Sequence, residues 1–590
     1  MTATGEGARA DVLGTDVLVV GSGLSGASTA LFLARHGVNV TMVTRSRWVA
    51  DSPRAHINNQ RTMEVMRAVG LEEACYAQAT PSELMANQVM LTALSGEEFG
   101  RLFTWGNDPA RLGEYATSSP SQGCDLPQHL FEPLLLGEAA RLGVRIRFET
   151  EFRGLEQDDD GVIAWTADLT TGREQVVRAR YLVGADGGQS AVAAAIGLPL
   201  RGRAGLGNAL NVRFTADLSR YVAHRPGSLY WVLQPDRVDG VGNASLRMVR
   251  PWHDWVAGFV HLGGRAARLT AEEARHEVEQ LIQDDTIPVT ITGIYPWRIN
   301  HVIAERYSSG RVFCAGDAVH RHPPMNGLGG NTCVQDGFNL AWKLAAVLKG
   351  VAGPALLDSY SAERQPVGQQ VVDRAIATWR QASALLDVLR IDPSAPPAER
   401  RRQFGVLAEP TDEGEERRAA FVEACRGRAY AYMAHGVEMN HLYTSAAVVA
   451  DGAPPVELDR DPELYHQQTS HPGARLPHSW VVLDGQTVST LDLAAPERFT
   501  LLTRVRGGSW VTAAGIVAAE LGVDLVALRV GPGGDVTDPY GTFAQQSEVG
   551  ESGCLLVRPD QHVAWRNPVA VDDPVSELRR VLRQVLDRRA

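Results

Sequence analysis

Three glycine-bearing stretches are the parts of this chain whose residue types and spacing could do chemistry. The first is Gly21-Ser-Gly23-Leu-Ser-Gly26, which follows the apolar run at 16–20 (DVLVV) and precedes a helical pattern at 27–36 and a second strand-like run at 38–43. That is a βαβ nucleotide fingerprint: Gly21 permits the tight turn, Gly23 lets a pyrophosphate reach the helix N-terminus, and Gly26 lets helix pack on strand. The acidic residue expected about 20 positions on, for an adenosine ribose, is missing. The second strand ends instead in Thr44-Arg45, which makes the Thr44 hydroxyl, with Arg45 beside it, the candidate for that contact.

The second stretch is Asp186-Gly187-Gly188, at the end of a strand-like run and ahead of a small-residue helix. Such an aspartate can meet a ribose or pyrophosphate region, although the same pattern is also a common turn. The third runs over 310–344, GRVFCAGDAVHRHPPMNGLGGNTCVQDGFNLAWKL, and reads as strand, loop and helix. Asp317 stands at the strand's C-terminal end, where ligands of parallel sheets bind. Gly327, Gly329 and Gly330 allow the N–H groups opening the helix to touch a planar ligand and present the positive end of the helix dipole to it. A flavin ring, anionic when reduced, suits that cradle.

These motifs need a large scaffold, and 590 residues provide one. A net charge of −12 argues against nucleic acid or an acidic membrane as partner. The six cysteines show no CxxC and no metal-ligand spacing, nothing at the N-terminus resembles a signal peptide, and no apolar run approaches a membrane span, so a cytoplasmic protein with reduced thiols is expected. The pattern along the chain predicts a disordered N-terminus over 1–12. A Rossmann-like nucleotide-binding domain with a helical extension follows over 13–84, 116–203 and 300–450, interleaved with a β-sheet substrate domain over 85–115 and 204–299. A Pro- and Asp-rich linker at 451–477 leads to a small α/β domain at 478–590. Arg54, His56 and Arg61 stand at the mouth of the helix expected from Gln60, where capping chemistry is the plain alternative to function. Tyr230, Trp231, Trp252 and Trp255 read first as sheet packing.

The order and separation of the three glycine motifs resemble the three signatures of the single-component flavoprotein aromatic hydroxylases. PRAHINNQRTMEVMR and CDLPQHLFEPLL are similar to the phenol hydroxylase branch, especially its 2,4-dichlorophenol 6-monooxygenases. The resemblance covers nearly the whole chain from Asp16 and makes the C-terminal domain thioredoxin-like, here without a CxxC. It implies a tightly bound FAD held by Gly21, Gly23 and Gly26 at its ADP part, by Gln128 and Asp317 at the ribityl chain, and by Gly330 and Asn331 at the pyrimidine edge. Arg54 joins this cofactor set. Asp186 would serve the pyrophosphate region and a transient NADPH or NADH, and Pro324 would line the reactive side. The implied reaction is hydroxylation of a phenol or hydroxypyridine ring by O2 through a C4a-hydroperoxyflavin, in a homodimer or higher oligomer, with no metal.

Two positions depart from the family. The arginine that usually closes the aspartate–glycine signature is Ala193, and His56 stands where phenol hydroxylases carry an aspartate that takes the phenol proton. Histidine, with an ordinary pKa of about 6.5, can do that work near neutral pH, so His56 is read as base or substrate orienter. The expected pocket is His56, Asn211, Tyr230, Pro323 and Pro324. A flavin-dependent halogenase would need a lysine between flavin and substrate and a WxWxIP motif. The two lysines, Lys343 and Lys349, lie beyond the flavin loop, and the motif is absent. An oxygenase acting on a non-aromatic substrate and a non-catalytic flavoprotein are the remaining alternatives.

Overall fold

The computed structural model describes residues 12–237, 242–261, 269–381, 387–392 and 394–588. Most of the expected disordered N-terminus therefore lies outside the described residues, and so does Leu262, the last residue of the alternating run at 255–262 (WVAGFVHL) that the sequence marks as a strand. Val12 instead opens the first strand, Val12–Val20, because it and Leu13 pair with Val176 and Val177.

That strand is central to a sheet ordered Ser308–Ser309, Val312–Cys314, Glu174–Gly184, Val12–Val20, Val40–Val43, Arg145–Arg147. All neighbours on this path are parallel except the short first pair. Val17, Leu18 and Val19 are fully buried, which is why this segment reads as a continuous apolar run and not as an alternating one. The helix Leu24–Arg35 packs on the long helix Gly329–Leu348, with Phe32 and Phe338 edge to face at 5.2 Å. Two nucleotide-facing helix N-termini are thus held side by side.

The second sheet has eight strands, in the order His320–Arg321, Thr290–Ala304, Leu200–Thr215, Asp254–His261, Gly242–Arg250, Leu229–Gln234, Asn87–Leu91, Glu98–Phe103. Both separated sequence blocks supply strands to it. The expected boundaries at 203/204 and 299/300 fall inside strands: Leu200 pairs with Ala304 at one end and Thr215 with Thr290 at the other. Ile303 and Ala304 belong to the core of the first sheet, whereas Leu210, Val212 and Phe214 belong to the core of the second. One strand pair therefore runs through both. One face of the second sheet is apolar and covered by the helix Ala271–Ile282. The other carries Asn211, Arg213, Trp231, Ser245 and Arg247 and turns toward the nucleotide-binding half, where Arg213 donates to the Asp51 carbonyl.

The C-terminal part has a four-stranded sheet in the order Leu525–Arg529, Phe499–Thr503, Cys554–Val557, Val563–Asn567, with only the first pair parallel. Its helices Gly508–Leu521 and Pro574–Val585 close the core. The stretch at 451–477, expected as a linker, is strapped down: Val563 donates to the Ala474 carbonyl, Leu476 to the Gln561 carbonyl, and Arg111 to the Leu464 carbonyl. Proline and aspartate here set turns, and the backbone groups they leave free are paired across domains. A fully buried ionic cluster joins this part to the flavin-side helices. The Arg558 guanidinium donates to both Glu363 and Asp560, the Lys343 ammonium donates to Glu363 at 2.7 Å, and Asn339 bridges the two carboxylates. Arg61, beside it, donates to Gln561 and to the Asp560 carbonyl. Among the described residues no helix is long and apolar enough to cross a membrane.

Candidate active site

The fingerprint glycines divide their labour as the spacing predicts. Gly21 lies at φ +105°, and a Cβ there would sit 2.2 Å from the Ala185 carbonyl oxygen. A Cβ on Gly26 would sit 2.0 Å from the Gly21 oxygen. A Cβ on Gly23 would meet nothing closer than 3.7 Å, so at that position the protein itself leaves room. Among the described residues the helix it opens has no side-chain cap, and the Ser25 hydroxyl in its first turn is buried with no partner. The long helix starting at Gly329 is also uncapped, and Gly330 lies against Ala55 and Leu24, where a Cβ would be 3.0 and 3.1 Å from their side chains. Bare N–H groups, an orphaned hydroxyl and close-approach glycines are what a dinucleotide with an anionic pyrophosphate and a flat ring requires. The residues present therefore fit FAD.

Gln128 and Arg54 border the same space. Gln128 is the first residue of the helix Gln128–Arg141, its amide lies 3.8 Å from the Cβ position of Gly23, and Arg54 Nε donates to its Oε1 at 2.9 Å. Asp317 is exposed in the tight turn at Gly316–Ala318, whose Gly316 lies against Ser25 and Cys333. The Asn331 side chain is used internally, so only its backbone is left for the contact expected of it: Oδ1 accepts from Asn59 N, and Nδ2 donates to the Ile57 and Gly327 carbonyls. Gly327 is at φ +64°, and a Cβ there would press on Ile57 at 3.0 Å. The loop is braced from below by His320, 2.9 Å from Asp336, which also binds Arg364. Pro324 is exposed on this loop, whereas Pro323 is buried and its carbonyl accepts from His322.

Several expected contacts take a different form. Thr44 is buried and accepts from Ser22 Oγ at 3.1 Å, so it braces the fingerprint loop; Arg45 points to solvent. The Asp186 carboxylate accepts from Ala191 N and Val192 N and caps its own short helix. Tyr230 lies on the covered face of the sheet, fully buried against Trp255, with its hydroxyl donating to the Arg225 carbonyl. One step in a period-two strand reverses the face, and the residue turned toward the nucleotide-binding half is Trp231. Asn211 does lie on that inner face, where it accepts from Trp297 Nε1 at 3.2 Å.

His56 is buried with both ring nitrogens facing oxygens, Nδ1 at 3.0 Å from Asp125 Oδ1 and Nε2 at 3.2 Å from the Pro53 carbonyl. Asp125 Oδ2 in turn accepts from Arg247 at 2.9 Å. Burial and the Arg247 charge hold the His56 pKa below 6.5, against the pull of Asp125. Burial pushes the Asp125 carboxyl up, but Arg247 and His56 together outweigh it and hold the carboxyl below its ordinary range. The favoured neutral tautomer carries its hydrogen on Nδ1, because the alternative would set a lone pair against a carboxylate. Asp125 and Arg247 were not among the expected residues. Asp125 is an acid inside a buried two-residue strand, Cys124–Asp125, and that is a local signal; Arg247 sits in the polar phase of the alternation Ser245–Leu246–Arg247–Met248 and gives none.

These features define a site fit for a flavin beside the inner face of the second sheet. Residues 14–375 match the family model described as FAD binding domain, and residues 469–588 match that described as aromatic-ring hydroxylase, C-terminal. The chain belongs to this family of FAD-dependent aromatic hydroxylases. It is 47% identical to the 2,4-dichlorophenol 6-monooxygenase of Delftia acidovorans, over 98% of this chain and 99% of that one. It is 41% identical to the phenol 2-monooxygenase of a Pseudomonas strain, over 99% and 94%. Among solved structures, the flavin-dependent monooxygenase PieE in complex with FAD and substrate superposes with a TM-score of 0.93 at 44% identity, covering 98% of this chain and all of that one. An aklavinone-11 hydroxylase with FAD and aklavinone superposes with a TM-score of 0.78 at 32% identity, covering 97% and 99%.

A direct consequence concerns Gly21. Gly21→Ala combines positive φ with a Cβ too close to the Ala185 carbonyl, and it should weaken FAD binding about tenfold or more, equivalent to about 1.4 kcal/mol. Equilibrium dialysis of the apoprotein against FAD reads this directly, and unchanged affinity would refute the role given to that turn.

Proposed function

We propose that this chain hydroxylates a phenol or hydroxypyridine ring, with NAD(P)H as transient reductant and O2 as oxygen source. The carrying observation is the line Arg247–Asp125–His56, which runs from the inner sheet face to the segment beside the flavin loop. The relatives named for phenol and dichlorophenol support the substrate class. FAD, when bound and reduced, supplies an electrophilic oxygen atom derived from O2. The chain's own residues prepare the ring to attack it.

Arg247 offers a guanidinium whose buried Nε has no partner among the described residues. Donated to the ring oxygen, it favours the phenolate, the more nucleophilic form. The proton is held on His56, where Nδ1–H points to Asp125 and an Nε2–H would donate to the Pro53 carbonyl; both acceptors are already in place. His56 is thus a proton-holding and orienting residue coupled to Asp125, while Arg247 touches the substrate. Pro324 lines the reactive side and Asn211 the facing sheet, while Trp231 on the same face packs against Met90, Leu233 and Phe421 under Arg428. The dry packing of Ile57 against Gly327 keeps stray water from the site.

The test is aerobic turnover of phenol and 2,4-dichlorophenol with NADPH under isotopically labelled O2. One labelled oxygen in a catechol-type product, with NADPH consumption stimulated by the phenol, is expected. NADPH oxidation yielding only hydrogen peroxide, across phenols and hydroxypyridines alike, would reject the reading. Tyr230→Phe should leave KM for the phenol unchanged and cost about 1 kcal/mol of stability at most; a raised KM would contradict its assigned face. We further read the C-terminal sheet as thioredoxin-like, supported by its strand order and single parallel pair, and the protein as a cytoplasmic homodimer, by family analogy.

A further inference from the structure

A cavity of about 260 Å³ lies on the flank of the reaction space, sharing Ile57 as a wall. It contains none of Asn211, Arg247, Pro324 or Gly330. Its sides are aromatic: Trp105 and Tyr432 meet edge to face at 5.2 Å, and Tyr115 stands opposite, stacked on His435 at 3.9 Å. That wall is fixed. His435 lies 2.9 Å from Gln60 Oε1, and Gln60 Nε2 donates to the Tyr115 and Ser121 carbonyls. The exposed residues Leu112 and Ala116 form the mouth.

Into this aromatic box faces the carboxyl of Glu438, which has no hydrogen-bond or ion-pair partner among the described residues. The charged groups around it are already engaged. Arg111 is bonded to Glu114 and the Leu464 carbonyl, and Arg374 to Glu463 and the Tyr430 carbonyl; Tyr115 and His435 complete its surroundings. An unpartnered carboxyl in an apolar cavity is costly unless something occupies it. Burial pushes it up to about 7, so near neutral pH it both accepts from a phenol and donates to a phenolate.

We propose that this chamber is a second binding site for a hydroxy-aromatic molecule, in which ring faces stack on Trp105 and Tyr115 and the ring hydroxyl bonds Glu438. It holds substrate or product beside the reaction space, one wall away from the flavin. The proposal rests on the hydroxylase reading for its ligand class. Its size suits one ring system, slightly below the roughly 300 Å³ at which drug-sized sites begin.

The test is titration of the oxidised FAD holoenzyme with 2,4-dichlorophenol. The flavin absorbance change reports the reaction site, the part of the tryptophan quenching that Trp105→Phe abolishes reports the chamber, and calorimetry gives the total stoichiometry. Two molecules per chain are expected, only one of which perturbs the flavin. Ala116→Trp, which fills the mouth, should remove the second while leaving the flavin response intact. Glu438→Leu, which changes the floor and not the mouth, should weaken the second site about tenfold. One molecule per chain in the wild type overturns the proposal, and so does loss of the flavin response in Ala116→Trp, which would make the chamber part of the reaction site. A flavin that responds to no hydroxy-aromatic would instead refute the hydroxylase reading, with the stoichiometry still judging the chamber.

Discussion

Asp125→Ala is expected to lower kcat/KM for phenol hydroxylation by about a hundredfold, within the 10²- to 10⁴-fold range that positioned acid–base groups supply, while FAD stays bound. Among the described residues the Asp125 carboxylate bonds His56 and Arg247 and none of the residues assigned to the cofactor. It ties Arg247 at 2.9 Å to His56 at 3.0 Å, so its loss frees the guanidinium from its orientation and the imidazole from its preferred tautomer at once. His56→Ala should cost a similar factor, and the double variant should cost little more than either single one, because residues acting as a unit are not additive. Coupling should fall with the rate, with NADPH consumed and hydrogen peroxide released. Additive losses would separate the two residues, and a fully coupled Asp125→Ala enzyme at wild-type rate would remove the network from the mechanism.

The His56 environment also sets a direction with pH. Its folded pKa is lowered from 6.5, so the unfolded chain binds its proton more readily. This group's contribution is complete above about pH 6.5 and turns unfavourable as pH falls from there through the folded value. Hydroxylation that depends on neutral His56 should therefore stay level from neutrality down past pH 6.5 before it declines.

Arg558→Ala is expected to cost about 3–5 kcal/mol, the scale of breaking a buried ion pair. The guanidinium is fully buried and holds two carboxylates, Glu363 and Asp560. Removing it leaves Lys343 and Asn339 to balance both. Thermal unfolding of the holoenzyme should show the loss, and adding Glu363→Gln and Asp560→Asn should recover part of it, since the cost lies in uncompensated charge. In the native cluster Arg558 and Lys343 hold Glu363 well below 4.5, and Arg558 holds Asp560 below 3.8, each against the burial penalty. That stability is present above the ordinary carboxylate range and is lost as pH falls through the folded values. An Arg558→Ala protein with an unchanged midpoint would show the cluster to be dispensable.

The glycines were legible in the sequence because their reason is local: a positive φ or a carbonyl within bonding range of an absent Cβ leaves a mark at the residue itself. The apolar run at 17–20 and the two interleaved blocks of the second sheet were legible for the same reason. Asp125 and Arg247 were not, since what makes them matter is a contact across 122 positions of chain. Tyr230 was placed on the wrong wall because the face of a strand depends on register, and register is settled by the partner strands Asn87–Leu91 and Gly242–Arg250. The aspartate of the Asp186 turn offered two readings, and the structure shows the local one, the carboxylate accepting from Ala191 N and Val192 N.

The strand pair Leu200–Thr215 and Thr290–Ala304 begins in one core and ends in the other. The spacing between flavin cradle and substrate wall is therefore carried by two covalently continuous strands, whose ladder breaks register between Arg203 and Gly207, at the passage from one core to the other. New substrates can be accommodated by repainting the inner face, at positions such as Asn211 and Ser245, without recalibrating the gap. Insertions within that pair would alter the gap itself and are the changes least compatible with retained hydroxylation.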